Sequence, residues 1–340
     1  MKRIISVLLV STIILASCNV DKNANVKLAD NQFLDAAQNV VTIREDPKSV
    51  TTAAAYGVAV PFFTALKISD RVKAINIKQK FWEEADTNYK GLESVGKGQF
   101  DLEKLAKINP VSIVHRANDP SSVAEIKKLG IDVLCIKAES YDDIISTLEN
   151  MGKYFGVEDE AKNKIDYLKS KFEKIDNIVR KIPDNERKTA IVMGGTLGRV
   201  AGRDMLQSFM IEKAGGRCLV TESKNYSWVD IGVERIFEYD PDYIFLTNSS
   251  SLDYSKEELY ESTTWSDLKA IKNNKVFEMP AKNDAWDMPG LAFAIGTMYM
   301  LYEMYPEYFG KEELEEEIKE YYKIMFNKEF TNTYLGYELE

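Results

Sequence analysis

Apolar residues along this chain follow two alternating periods. Short β-rich runs, Ser49 to Thr52, Val72 to Ile77, Val111 to Val114 and Val133 to Ile136, are separated by helical patterns at Val58 to Leu66, Leu102 to Lys107, Ser121 to Leu129 and Tyr141 to Phe155. Strands alternating with helices predict a mostly parallel sheet covered on both faces. One long helix then interrupts the alternation: Ile165, Leu168, Phe172, Ile175, Val179 and Ile182 fall at spacings of three and four, and Pro183 ends the run. Its apolar stripe is narrow, with Lys, Glu and Asp on the remainder, so it is expected to lie along a surface rather than through a core. At about 1.5 Å per residue, the span Glu158 to Ile182 reaches roughly 37 Å, the scale of a connector between two lobes. Alternation resumes with strands at Lys188 to Met193, Tyr243 to Leu246 and Lys275 to Glu278, which predicts a second α/β lobe.

The two halves also resemble each other. Leu102 to Val114 aligns without gaps against Val233 to Phe245 at a constant offset of 131. Each reads as a short helix opened by an apolar residue and Glu, a turn at Asn109-Pro110 or Asp240-Pro241, and a buried strand. A generic helix-turn-strand unit would produce part of this similarity; two related lobes sharing one connector account for more of it.

The amino terminus has a different pattern. Lys2 and Arg3 precede an apolar stretch from Ile4 to Ala16, and the run Leu15-Ala16-Ser17-Cys18 closes it. A core of thirteen residues is too short for a bilayer-spanning helix, which needs roughly 20, and the layout is that of a cleaved secretory signal. The run resembles a lipobox, in which the cysteine is diacylated and becomes the new amino terminus. Two acyl chains suffice for stable attachment. The expected organisation is therefore a signal peptide over 1–17, a lipidated tether over 18–39, an amino-terminal lobe over 40–156, a connecting helix over 157–183 and a carboxyl-terminal lobe over 184–340.

Composition narrows the function classes. The chain is 45% hydrophobic and 29% charged, in the ordinary globular range. Removal of the leader takes away two basic residues and no acids, moving the formal net charge from −10 to −12. That balance disfavours nucleic acid as a partner, and it makes lipid at Cys18 rather than surface charge the expected membrane anchor. Cys135 and Cys218 lie in different halves and are expected as buried thiols. The single histidine, His115, cannot build a typical site for a bare transition metal. A Ser-His-Asp hydrolase would have to use it as the base, but the chain has no Gly-x-Ser-x-Gly elbow. Gly194-Gly195-Thr196-Leu197-Gly198 lacks the Gly-Lys-Ser or Gly-Lys-Thr of a phosphate loop and reads as a turn.

Several motifs, in order and spacing, carry a family resemblance over about 300 residues. They are Leu102-Glu103 before Asn109-Pro110, Ala214-Gly215-Gly216, Val233-Glu234 before Asp240-Pro241-Asp242, Trp265 with the run Leu268 to Val276, and Pro306-Glu307. The mature chain resembles the class III substrate-binding lipoproteins of ATP-driven importers, which handle ferric siderophores, haem, corrinoids and, in some members, oxyanions. The resemblance implies two Rossmann-like α/β lobes bridged by one rigid helix, ligand held between them, and modest closure. It implies a non-enzymatic, monomeric receptor that is extracytoplasmic, tethered through Cys18, and partnered by a permease with a separate ATPase subunit. It also implies that Glu103 and Glu234 dock against permease arginines, although a carboxylate at a helix start has a local role too. No cofactor is expected; the cargo is an iron chelate, with a corrinoid or an oxyanion such as molybdate or tungstate as alternatives and a secreted hydrolase as the rival class.

Ligand sites in open α/β sheets lie beyond the carboxyl ends of the strands. That rule selects Tyr56, Gly57, Lys78, Phe81, Trp82, His115, Arg116, Asn118 and Lys137 in the first lobe. In the second it selects Gly195, Thr196, Arg199, Arg203, Tyr226, Trp228, Thr247, Asn248, Ser249, Asn283, Trp286 and Asp287. Aromatic residues with a few cations suit a large planar or anionic ligand. His115 and Arg116 end a strand and are expected at the cleft rim, where His115 could ligate iron or hydrogen-bond the ligand and Arg116 could neutralise an anion. A loop histidine satisfied by neighbouring backbone, and aromatics that serve only packing, are the competing readings. Trp265 is expected in the core. The charge-rich run Glu312 to Lys319 is expected to be a solvated amphipathic helix.

Overall fold

The computed structural model describes residues 27–54, 57–76, 80–97, 99–224, 226–248, 251–280 and 284–329. The predicted leader, Cys18, Tyr56, Lys78, Ser249 and Asn283 lie outside them. Strands β1 (Gln32–Leu34) and β2 (Val40–Thr42) form a hairpin. The first lobe is then built on β3 (Thr52–Ala54), β4 (Val72–Ile75), β5 (Glu93–Ser94), β8 (Ser112–Arg116) and β9 (Asp132–Ile136), with a small hairpin of β6 (Gly96–Lys97) and β7 (Gln99–Phe100). Its sheet order is β5-β4-β3-β8-β9, parallel throughout. Helices α1 (Ala59–Ala65), α2 (Lys80–Ala85), α3 (Leu102–Ile108) and α4 (Pro120–Lys128) connect the strands, and α5 (Tyr141–Phe155) follows the last of them.

Helix α5 stops at Gly156, whose left-handed φ of 66° turns the chain directly into α6 (Glu158–Val179). A Cβ at Gly156 would come within 2.8 Å of Pro47, so the turn also depends on the missing side chain. Glu158, Asp159 and Glu160 occupy the first turn of α6, where the helix dipole favours acids. The helix ends three residues short of the predicted Ile182.

The second lobe contains β10 (Thr189–Met193), β11 (Arg199–Ala201), β12 (Arg217–Cys218), β13 (Trp228–Asp230), β14 (Tyr243–Leu246) and β15 (Val276–Glu278). Its sheet order is β13-β11-β10-β14-β15, with β12 pairing β10. Strands β12, β14 and β15 run parallel to β10 or to each other, whereas β11 and β13 are antiparallel additions at one edge. The covering helices are α7 (Leu206–Lys213), α8 (Gly232–Tyr239), α9 (Lys256–Glu261), α10 (Lys269–Lys272), α11 (Phe293–Met304) and α12 (Lys311–Phe326). Cys135 is buried, Cys218 is half-buried, and both are free thiols.

Period-two alternation sorts each strand between two cores. Val114, Leu134, Val192 and Phe245 join one apolar cluster that runs through both lobes, while Ile113 and Cys135 face an outer cluster of the first lobe. Ile191, Met193, Ile244 and Leu246 face an outer cluster of the second. Trp265 lies in that second outer cluster, as expected for a core residue. Strands buried on both faces are what a covered parallel sheet requires.

The repeat seen in the sequence has a structural counterpart. Asn109 and Asp240 both cap their helices in the left-handed conformation, with φ of 47° and 41°, which short polar side chains tolerate better than branched ones. The strands that follow begin at Ser112 and Tyr243, and each lies one place in from a sheet edge.

Charged residues also join α6 to the last helix. Lys164 on α6 is buried, sits 2.9 Å from Glu160 and donates to the Ile324 carbonyl at 2.5 Å. Lys171 and Lys174 each approach Glu317 of α12 at 2.8 Å. The last helix is amphipathic, as expected: Glu312, Glu313, Glu316 and Lys319 stand in solvent, while Glu317 on the buried face meets the lysines that α6 presents. It also reaches the first lobe, where Phe326 packs edge-on against Trp82 with ring centroids 5.2 Å apart.

Candidate functional site

Strands β8 and β9 are adjacent and parallel, so the loops that leave them emerge side by side. Opposite them, Tyr226 projects from the second lobe. Together Arg116, Ala117, Asn118, Lys137, Glu139 and Tyr226 line a cleft of about 310 Å³. This is the position that the strand-end rule selects, and it brings Arg116, Asn118, Lys137 and Tyr226 together from two lobes.

The polar groups of the first lobe are organised before any ligand is considered. Asp119 caps α4: its carboxylate accepts from Ser122 N–H at 3.3 Å and from the Ser121 and Ser122 hydroxyls at 3.0 and 2.9 Å. Arg116 adds a charged donor at 3.0 Å. Burial opposes ionisation of Asp119, but the hydrogen bonds from Arg116, Ser122 and Ser121 outweigh it and hold the carboxyl well below its usual range. Lys137 is similar. Burial alone would lower its pKa, yet Asp143 at 3.1 Å and the nearby Tyr226 raise it. Glu139 is pushed up by burial, with Asp143 adding to the shift and Lys137 opposing it.

His115 does not reach the rim. It shares the outer face of the sheet with Ile113 and Cys135, is 3% exposed, and packs edge-on against Phe100 at 4.9 Å. Nε2 lies 3.5 Å from Asp119, neither ring nitrogen has a hydrogen-bond partner among the described residues, and burial lowers the pKa against the opposing pull of Asp119. The correction follows from strand geometry. Adjacent residues point to opposite faces, so Arg116 faces the cleft and His115 turns away from it.

Two tryptophans are also placed differently from expectation. Trp82 is 5% exposed and packs against Phe326. Trp286 is 2% exposed, donates from Nε1 to Tyr322 at 3.0 Å, and lies edge-on to Tyr299. Both fill the apolar core beneath α12.

In the second lobe, Thr196 is exposed in the turn after β10, and its carbonyl accepts from Arg199 N–H at 3.1 Å. Trp228 is half-buried over Gly194, where a Cβ would lie 2.7 Å from the indole. Arg199 stands 3.9 Å from Asp230, and Arg203 pairs with Glu212 at 2.5 Å. Asn248 donates its side-chain amide to the Met279 carbonyl and its backbone N–H to Asp287 at 3.4 Å. Asp287 itself is fully buried and accepts from the Thr247 hydroxyl. Asn248 thus fastens the loop after β14 to the end of β15, and Asp287 fastens it to the segment before α11.

Sequence reasoning missed Glu139 and Asp204. Asp204 accepts the Tyr226 N–H at 2.8 Å and fixes that loop. Neither residue belongs to a recognisable motif, although Glu139 follows a strand end closely enough for the same rule to have included it.

Glu103 and Glu234 are both exposed in the first turns of α3 and α8. The helix starts are tied to the carboxyl edges of the sheets: Asp101 N–H donates to Val95 just beyond β5, and Ile231 N–H donates to Gly198 in the turn after β10. Each lobe therefore carries one of these acids on a helix whose start is bonded near the carboxyl edge of its sheet.

Comparison with known proteins places this architecture. The chain is 22% identical over 316 residues to the uncharacterized ABC transporter substrate-binding lipoprotein YvrC of Bacillus subtilis, covering 89% of this chain and 96% of that one. It is 25% identical over 284 residues to the iron(3+)-hydroxamate-binding protein FhuD of the same organism, covering 78% and 85%. A periplasmic solute binding protein from Veillonella parvula superposes with a TM-score of 0.75 at 21% identity, covering 90% of this chain and 95% of that one. Residues 53–283 match the family model described as periplasmic binding protein, and on that match, which spans well over half its length, the chain belongs to the periplasmic binding protein family.

Proposed function

We propose that this protein is the substrate-binding lipoprotein of an ABC importer, that it captures an iron complex, a ferric siderophore or haem, and that it delivers the complex to a membrane permease driven by a separate ATPase. Lipid on Cys18 keeps it within reach of the permease, and Glu103 and Glu234 supply one docking acid per lobe. The domain limits 1–17, 18–39, 40–156, 157–183 and 184–340 are part of the same proposal, as is a monomeric state.

The observation that carries the choice of cargo is the state of the two cations that line the cleft, Arg116 and Lys137, and of the two strand-end arginines of the second lobe. Arg116 pairs with Asp119, Lys137 with Asp143, Arg199 approaches Asp230, and Arg203 pairs with Glu212. A bare oxyanion is held by unengaged arginines and backbone amides, and these cations are already engaged with acids of their own lobes. The cleft instead offers an exposed aromatic residue together with amide and carboxylate groups. That combination favours a bulky chelate with little net charge over molybdate or tungstate. The iron(3+)-hydroxamate ligand named for the Bacillus subtilis relative supports the same direction. His115, buried on the outer face, is not assigned to the metal; iron is held by its chelator.

The test is a set of fluorescence titrations of purified protein with a ferric trihydroxamate, haem, cobalamin and molybdate. Saturable quenching by the trihydroxamate or haem, with no response to molybdate, is the expected outcome. Tight binding of molybdate or cobalamin alone would overturn the choice of cargo while leaving the importer role in place.

A further inference from the structure

Lys137 and Tyr226 come from opposite lobes and meet at the cleft. The ammonium of Lys137 lies 3.9 Å from the centroid of the Tyr226 ring. Each partner is held from behind by its own lobe. Lys137 Nζ is 3.1 Å from Asp143, and Thr147 donates its hydroxyl to the Lys137 carbonyl at 2.6 Å, fixing the loop backbone. Tyr226 adopts a left-handed φ of 57°, a conformation that bulky residues avoid, and its N–H is held by Asp204 at 2.8 Å. The ring stays 42% exposed, so packing alone does not explain why it is presented. Both side chains line the same cleft.

We infer that Lys137 and Tyr226 form a clasp across the cleft, and that opening this clasp controls how fast bound ligand leaves. The inference rests on the proposed binding role of the cleft. A cation over an aromatic face is attracted by the ring quadrupole. Such contacts change a rate by about twofold at exposed sites and about thirtyfold when desolvated. The half-exposed pair here should fall between, at about fivefold. Because Asp143 holds the Lys137 ammonium and Asp204 holds the Tyr226 backbone, less ordering is needed to form the pair, which favours closure.

The experiment measures release of a ferric trihydroxamate by stopped flow from wild type, Lys137→Met, Tyr226→Ala, Tyr226→Phe and the Lys137→Met/Tyr226→Ala double variant. Met keeps the length of the lysine without its charge, and Phe keeps the aromatic face. Either single loss should speed release about fivefold, the double variant should be no faster than the singles, and Tyr226→Phe should match wild type. Effects that multiply in the double variant would mean two independent ligand contacts and would overturn the clasp, as would unchanged release. A ligand-independent readout separates this inference from the proposed function. If the trihydroxamate does not bind wild type, the choice of cargo fails, and amide exchange still decides the clasp. Exchange at Tyr226 should rise about fivefold in Lys137→Met, a residue that makes no bond to that backbone, and unchanged exchange would overturn it.

Discussion

Reversing both Glu103 and Glu234 to Arg abolishes uptake of the iron complex by whole cells while its affinity for the purified protein stays within about twofold of wild type. The physical case rests on where these acids stand. Both are exposed, one per lobe, at the starts of α3 and α8, and those starts are bonded to the sheet edges from which the cleft loops leave. Complementary charges orient partners and speed encounter, and like charges facing each other cost several kcal/mol. Two reversals replace two attractions with two repulsions. The cost to the fold is small by comparison, since an acid in the first turn of a helix contributes about 0.3–1 kcal/mol through the helix dipole. A single reversal should leave partial uptake, because one lobe still docks. Radiolabelled iron uptake together with ligand titration of the purified variants checks the prediction, and loss of ligand affinity would remove docking as the role of these residues.

The second large effect is structural. Trp286→Ala should destabilise the protein by about 3–5 kcal/mol, the range for truncating a buried large aromatic side chain. The indole is 2% exposed, donates to Tyr322 of α12 at 3.0 Å and packs against Tyr299 of α11. Truncation leaves a cavity beneath the last helix and removes the bond to the Tyr322 hydroxyl. Since α12 also carries Glu317, which faces Lys171 and Lys174 on the connecting helix, loss of its anchorage should be felt in both lobes. Trp286→Phe should recover most of the packing but not the hydrogen bond. Chemical denaturation measures the change. A variant of normal stability with weakened ligand binding would instead make Trp286 a cleft residue.

Much of the architecture was legible from periodicity. The β-rich runs and helical patterns located most of the longer strands and the connecting helix, and the repeat at Leu102 and Val233 located equivalent strands in two sheets. Strands of two or three residues such as β5, β12 and β13 were not, because a pattern of period two needs more residues to be visible. The predicted run Ser49 to Thr52 begins in a tight turn at Pro47–Ser49, and the strand itself starts at Thr52.

The cleft was legible only in part. A strand-end rule finds the right loops but does not say which of two adjacent residues faces inward, so it found Arg116 and mistook the direction of His115. Trp82 and Trp286 follow strand ends too, and their burial is decided by α12, which returns from the far end of the chain to cover them. For the same reason the complementarity of Lys171 and Lys174 with Glu317 cannot be read from local sequence. Lys137 and Tyr226 were both found as candidates, but nothing in the sequence pairs them.

The measurement that bears most directly on the central claim is the identity of the cargo carried by the protein isolated from its own host. Native mass spectrometry combined with visible absorption should give a one-to-one complex containing iron, with either a ferric chelate charge-transfer band or a Soret band. A corrinoid spectrum, or a colourless adduct with the mass of an oxyanion, would contradict it.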